Sequence, residues 1–455
     1  MQFLSRFKRI EMLSGTLYDK ILFFTLPLAL TGILQQCFNA ADVMVLGHFV
    51  GDSAMAAVGN NVPIIGLLVS LFMGASIGAN VVVARYLGMQ DKENAKDAVQ
   101  TSFLVSVILG ISLAVLGLVF SGITIDALEV PQSVREESLT YLRIYLLGLP
   151  FMSIYNFEAA LLRAKGDTAT PLVALFYAGV LNLVGNLAGV CLFHYGIGIV
   201  ALTTTLANIL SACFLFYRML KAEDEISLRL NTLHTFNFRK CRAIFKIGLP
   251  AGVQGMVFCL SNLVIQNAIN SLGADVMAAS AAAFILEINV YAFVNAFGLA
   301  TTTFVGQNFG AGNLSRCRRA TFVTMGLGVV VSLVITGIIV IFMTPLLALF
   351  SASQVVISFG IIRVLYVLMP QPINIVLEVL SGAMRGYGFS LPPAIITLFS
   401  ICGVRLIYVF TVFEEHQSFD TLMLVYPLSW IVCITLLSVV YVLHQRHLTY
   451  KHQSS

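Results

Sequence analysis

Long apolar runs separated by short polar breaks recur along the whole chain. They predict membrane spans near 17–46, 54–84, 98–124, 138–162, 171–193, 197–220, 243–271, 276–308, 319–349, 355–384, 392–413 and 419–445. A bilayer core is ~30 Å thick, and a helix needs about 20 predominantly apolar residues to cross it. The runs have that length. Short alternating segments, the mark of an outer-membrane barrel, are not evident. The pattern therefore predicts an all-α integral membrane protein with about twelve transmembrane helices.

The runs repeat as a set. Pro27 and Pro250 each open a span, and Asn39 and Asn262 follow at the same distance. Gly51-x3-Met55-Ala56-Ala57 answers Gly273-x3-Met277-Ala278-Ala279, and Ala84–Gly88 lines up with Gly306–Gly310. Arg143, Pro150 and Glu158 recur at the same spacing as Arg363, Pro370 and Glu378. The basic turns at Arg163 and Arg385 are followed by Pro171 and Pro393. Six spans per half is an even number, so the halves point the same way across the membrane and form two parallel six-helix repeats. The polar stretch at mid-chain is the seam, which divides the chain into an N-lobe (1–222), a linker (223–242) and a C-lobe (243–455).

Charge refines this picture by its placement. One set of loops holds Arg85, Lys92, Lys96, Arg163, Lys165, Arg218, Lys221, Arg316, Arg318, Arg319 and Arg385. The opposite set holds Arg135 beside Glu136 and Glu137, with His48, Asp52, His194, Asp275, Glu414, Glu415 and Asp420. Basic loops stay in the cytoplasm, so both termini are expected there in a multi-pass protein of the cell (inner or plasma) membrane. The apolar fraction of 58% and charged fraction of 11% exclude an ordinary soluble domain. Nucleic acid is not an expected partner for the net charge of +4, because the basic residues follow membrane topology. The eight cysteines are scattered without a CxxC pair and read as small hydrophobes. No short apolar core with a cleavage site follows the N-terminal basic residues, so a cleaved leader is not expected.

Ionisable groups inside spans are costly and are functional candidates for that reason. Asp42 lies in the apolar body of the first span and cannot snorkel to solvent as a lysine does. Such a carboxylate binds a cation or exchanges protons, or is simply hydrogen-bonded within the bundle. Glu287 in span eight and Glu378 in span ten qualify on the same grounds. Glu158 is five residues from Arg163, so a structural pair with that arginine is an equal alternative. Arg143 and Arg363 read as structural, and Arg405 lies deep enough to need a partner that the sequence does not identify. Amides cluster as well: Gln35, Gln36 and Asn39 in span one, Asn182 and Asn186 one turn apart in span five, Asn262 and Gln266 in span seven. Amides in spans often glue helices together, but their presence in both halves also suits a lined cavity.

No GxxxxGK[ST] loop, HExxH pair or Cys/His ligand cluster occurs, so neither direct ATP drive nor a metalloenzyme is expected. An enzyme of any class is not expected, because no nucleophile with a paired base declares itself.

At these residues the chain resembles the MATE (multidrug and toxic compound extrusion) family. The resemblance is carried by Leu26-Pro27, Gln35-Gln36-x2-Asn39-x2-Asp42-x4-Gly47, Leu162-Arg163-Ala164-x-Gly166-Asp167-x3-Pro171 and Gly306-Gln307-Asn308-x-Gly310-Ala311-Gly312. It implies two six-helix lobes forming a V, and export driven by inward movement of Na⁺ or H⁺, with no other cofactor. It also implies small amphipathic or cationic substrates, contact with membrane lipids, and action as a monomer. Asp42 matches the acidic residue of the N-lobe ion site, which would make it the Na⁺ ligand, and Asn182 matches a polar position of helix five. Many members carry Asp one turn later where this chain has Asn186, and that departure argues against a two-carboxylate proton relay. Glu287 and Glu378 resemble C-lobe acidic positions of a subset of members. The expected ion- or substrate-binding set is therefore Asp42, Gln36, Asn39, Asn182, Asn186, Glu287 and Glu378. A flippase for a lipid-linked or polysaccharide intermediate is the alternative function.

Overall fold

The structure is a computed structural model that describes residues 9–128, 130–192, 196–229 and 235–454. His194 and residues 230–234 of the linker lie outside the described residues. Among the described residues, twelve helices are long and apolar enough to cross a membrane. They are α1 (Tyr18–Phe49), α2 (Ser53–Gly88), α3 (Lys92–Ala127), α4 (Gln132–Lys165), α5 (Ala169–Cys191) and α6 (Ile197–Leu220). After the linker come α7 (Phe238–Ser271), α8 (Ala274–Gly310), α9 (Leu314–Ile341), α10 (Gln354–Gly386), α11 (Leu391–Phe413) and α12 (Phe419–Tyr450).

The predicted ninth span, 319–349, needs correcting. Its helix ends at Ile341, and a separate short helix, Met343–Ala348, follows. Pro345 is the cause: its ring collides with the carbonyl four residues earlier, at Ile341, and it has no N–H to offer the ladder. Pro27, Pro150 and Pro250 lie inside continuous helices instead. Pro370 falls just after a π-helical turn, Val364–Leu368, where the ladder has widened so that the Met369 amide reaches the Val364 carbonyl at 2.8 Å.

The internal repeat is written into the turns. Gly51 and Gly273 cap α2 and α8 with φ of 126° and 103°, a region in which a side chain would be strained. Gln90 and Gly312 are likewise left-handed, at 58° and 73°. The next residues, Asp91 and Asn313, accept from the amides of Asn94 and Arg316 as N-caps of α3 and α9. Each pair is 222 residues apart. The same interval matches the Asn80–Ala160 contact of the first half with the approach of Gly382 to Thr302 in the second. In this frame Pro150 answers Pro372, and Glu378 answers Asn156 rather than Glu158. The equal spacing of Arg143, Pro150 and Glu158 with Arg363, Pro370 and Glu378 is thus two residues out of phase with the packing, so Glu158 and Glu378 occupy different helix faces.

The helices sort into two compact units, one of residues 1–11 and 30–252, the other of 12–29 and 253–455. Their membership differs from the sequence halves at two half-helices: the start of α1 belongs with the second unit and the start of α7 with the first. Within the first unit α2 and α7 meet backbone to backbone. A Cβ added at Gly74 would lie 2.1 Å from the Gly252 nitrogen, and one at Gly78 would lie 2.2 Å from the Ile244 carbonyl. Gly74-x3-Gly78 facing Gly248-x3-Gly252 is the small-residue stripe that allows such close approach. In the second unit the start of α1 packs on α8 through Phe24 and Phe304, edge to face at 5.5 Å.

The first part of the linker is docked on the first unit. Ile226 and Leu228 are buried, Lys165 pairs with Asp224, and Glu225 lies 3.6 Å from Lys92 and 3.9 Å from Arg9. A backbone hydrogen bond at Glu225, with Lys92, Arg9 and Lys165 nearby, holds its carboxyl below the ordinary range.

Candidate functional site

Asp42 is 7% exposed, in the apolar body of α1. Helix α5 brings Asn182 and Asn186 to it, one turn apart and therefore on one face. Helix α6 adds Thr203 and Thr204 from the run Leu202-Thr203-Thr204-Thr205-Leu206. The Asn186 amide donates to Asp42 Oδ1 at 2.5 Å, and Thr204 Oγ1 lies 3.3 Å from Asp42 Oδ2. Asn182 Nδ2 donates to Thr204 Oγ1 at 3.0 Å, and the Thr203 hydroxyl donates to Asn186 Oδ1. Tyr141 and Tyr145, stacked at 6.1 Å, belong with Val45 and Leu46 to the adjoining apolar cluster.

Counting protons shows what this cluster lacks. Thr204 has one O–H hydrogen, and the Val200 carbonyl at 2.8 Å competes for it with Asp42 at 3.3 Å. The donors around Asp42 are thus all neutral, and among the described residues no lysine or arginine pairs with this carboxylate. A buried carboxylate in that condition is costly as an anion, and a proton or a hard cation relieves it. The oxygens gathered here (carboxylate, amide carbonyl and hydroxyl) are the donors such a cation takes. No group of three or more His, Cys, Asp or Glu suited to a tightly held metal occurs among the described residues.

The other expected residues are placed differently. Gln36 is half-buried and Asn39 exposed, and neither hydrogen-bonds to Asp42. In the second unit Glu287 accepts from Arg363 Nη2 at 2.9 Å and Nε at 3.1 Å, and Arg363 also donates to Ser280. Glu378 accepts from the Tyr291 hydroxyl at 3.2 Å and lies 3.5 Å from Arg385 Nη2. Arg385 reaches on to Gln254, which donates to Thr397 at 3.0 Å. Both carboxylates are thus neutralised in place, unlike Asp42. Glu158 is fully buried and neither of its oxygens has a partner, so of the two alternatives the pair with Arg163 is not the one formed.

Arg405 is 2% exposed, and its contacts among the described residues are neutral: Ser429 at 3.2 Å, Asn262 Oδ1 at 3.0 Å, Ser261 at 3.3 Å, and the Tyr426 ring at 4.5 Å. Arg363 lies over the same ring at 5.8 Å. Tyr426 and Arg363 stand 222 residues after Thr204 and Tyr141, so the equivalent region of the second unit gathers two guanidinium groups around one carboxylate, Glu287. Sequence reasoning missed Thr203, Thr204, Tyr291, Ser280 and Tyr426. Three consecutive threonines inside an apolar run were the available signal for the first two.

The sequence profile of the MatE family matches this chain twice, over residues 27–188 and 250–411. The chain is 25% identical over 423 residues to the probable multidrug resistance protein YoeA of Bacillus subtilis, covering 91% of each chain. It is 27% identical over 407 residues to the probable multidrug resistance protein NorM of Thermotoga maritima, covering 86% of this chain and 85% of that protein. In fold it is similar to the crystal structure of MATE in complex with MaL6, with a TM-score of 0.91 at 19% identity over 97% and 99% of the two chains. It is also similar to an outward-facing multidrug resistance MATE family transporter of the MOP superfamily, with a TM-score of 0.90 at 20% identity over the same shares. Twelve membrane-crossing helices, a two-fold internal repeat and this double match agree: the chain is a multi-pass membrane transporter that belongs to the MATE family.

Proposed function

We propose that this protein is a secondary active multidrug exporter that moves amphipathic, often cationic compounds out of the cell in exchange for Na⁺ or H⁺. The observation that carries the reading is Asp42, a buried carboxylate with neutral hydrogen-bond donors and, among the described residues, no cationic partner. Its ionised form attracts the coupling ion, and its protonated or ion-loaded form is neutral. A substrate cation that favours one of those two states and a coupling ion that favours the other exchange by mutual exclusion. Relatives named as multidrug resistance proteins support export of drug-like compounds. The Lys/Arg asymmetry of the loops supports cytoplasmic termini and a plasma-membrane location, and the reading takes the monomer as the working unit.

A second reading is kept because one observation favours it. Arg363 and Arg405 flank Tyr426 in the second unit, and buried guanidinium groups suit an anionic headgroup, as a flippase for a lipid-linked intermediate requires.

The deciding experiment uses the purified protein in liposomes with Na⁺ and H⁺ gradients imposed separately. Accumulation of a fluorescent cation driven by one of those gradients supports the antiporter. Scrambling of a lipid-linked anion without either gradient supports the flippase.

A further inference from the structure

Helices α9, α10 and α12 of the second unit line a cavity of 660 Å³ at the end where α9 begins and α12 finishes. Its polar rim is formed by Arg318, from the start of α9, and by Gln445, Arg446 and Thr449, from the end of α12. Its body is apolar, with Phe322, Met325, Leu380 and Val442 along the wall. Arg318 is held in place by Gln445 Oε1 at 3.0 Å and by the Thr449 hydroxyl. No carboxylate pairs with Arg318 or Arg446 among the described residues, and Arg446 makes no hydrogen bond there.

A second observation points at the same place. Tyr441 lines the cavity and is 4% exposed, yet its hydroxyl has no well-formed hydrogen bond, with the polar groups of Thr321 and Tyr387 beside it. Gln445 Nε2 and the Tyr387 hydroxyl are also buried without a well-formed hydrogen bond, and the three groups are one another's neighbours. Two phenols and an amide N–H₂ bring four donor hydrogens, and the only acceptors among these three groups are the phenol oxygens. Each buried donor left unmade costs roughly 1–3 kcal/mol in general, which the oxygens of an anion would relieve.

We propose that this groove binds an anionic phospholipid of the adjoining leaflet. Arg318 and Arg446 hold the phosphate, the Tyr441 and Gln445 donors complete its coordination, and an acyl chain lies along Phe322, Met325 and Val442. Charge complementarity selects this occupant: two unpaired guanidinium groups sit over an apolar slot, at the depth where headgroup and tail meet. A zwitterionic lipid would bring a choline cation against the same two arginines. The inference depends on the membrane setting of the chain and is independent of which compound it exports.

Native mass spectrometry of the purified full-length protein, titrated with phosphatidylglycerol or phosphatidylcholine, tests it. Wild type is expected to retain phosphatidylglycerol preferentially. Arg446→Gln and Arg318→Gln are each expected to weaken that binding about fivefold, in line with one basic side chain near an anionic headgroup. Arg446 has no intramolecular bond to lose, so its variant stays folded. Arg218→Gln, a basic residue at the end of α6, serves as the control and should bind like wild type. Tyr441→Phe should weaken phosphatidylglycerol binding without lowering the melting temperature, which a merely structural hydroxyl would not do. Equal retention of the two lipids by wild type, or undiminished phosphatidylglycerol binding by Arg446→Gln, would overturn the proposal.

Discussion

Asn186 donates its side-chain amide to Asp42 at 2.5 Å, joining α5 to α1 across 144 residues of sequence. Asparagine can donate to Asp42 in either of its charge states, whereas an aspartate at that position would compete with Asp42 for one proton or one cation. This single contact ties the charge state of Asp42 to the packing of three helices, because Asn186 also accepts from Thr203 of α6.

Removing that donor should therefore be felt in both stability and ion handling. Asn186→Ala leaves Asp42 Oδ1 buried without its partner, at a cost of about 1–3 kcal/mol. The melting temperature should fall in ion-free buffer and recover more than wild type does when the coupling ion is added. Asn186→Asp should instead move the pH profile of transport toward alkaline values, because two adjacent carboxylates cannot both ionise and one keeps its proton to higher pH. The pH profile of efflux by the two variants checks this.

Glu287 and Arg363 form a buried ion pair, so neutralising one partner strands the other. Glu287→Gln is expected to destabilise the second unit by about 3–5 kcal/mol, the usual cost of breaking such a pair. Glu287→Gln combined with Arg363→Gln should restore much of that loss, because no uncompensated charge remains. Thermal unfolding of the two single variants and the double variant forms the cycle. Strict additivity would mean that the pair contributes nothing as a pair.

Gly74 is fixed by contact, with the Gly252 backbone where its Cβ would be. Gly74→Val should cost more than the ~1–3 kcal/mol typical of overpacking, since backbone rather than a flexible side chain has to move. Gly122→Ala, where nothing lies within 4 Å of the new Cβ, should be close to neutral. The yield of monodisperse protein from the two variants separates the cases.

Much of this architecture was legible from hydrophobic run length alone, because lipid forces every spanning segment to satisfy its own backbone. Asp42, Asn182 and Asn186 were legible for a related reason: polar groups in an apolar run need partners. What the sequence did not disclose was which partners they find. Glu287 and Glu378 looked as free as Asp42 until Arg363 and Arg385 were seen beside them, contacts made between helices distant in sequence or across two turns of one helix. Asn39 and Gln36 share a helix with Asp42, but helical spacing alone does not fix which face the neighbouring helices cover. The phase of the repeat in α4 and α10 is obscured in the sequence because two arginines, two prolines and two glutamates coincide at an interval of 220. The turns and packing contacts, set by backbone geometry, hold to 222.

The most direct test of the central claim is ion-driven efflux by Asp42→Asn in proteoliposomes, at protein levels matched to wild type and alongside a thermal melt. Asparagine keeps the shape of Asp42 and bonds to the same neighbours but cannot ionise, so the fold should be retained or slightly stabilised. Gradient-driven export should be lost while the melting temperature holds or rises. Wild-type export by Asp42→Asn under the same gradient would contradict it and move the coupling site away from α1.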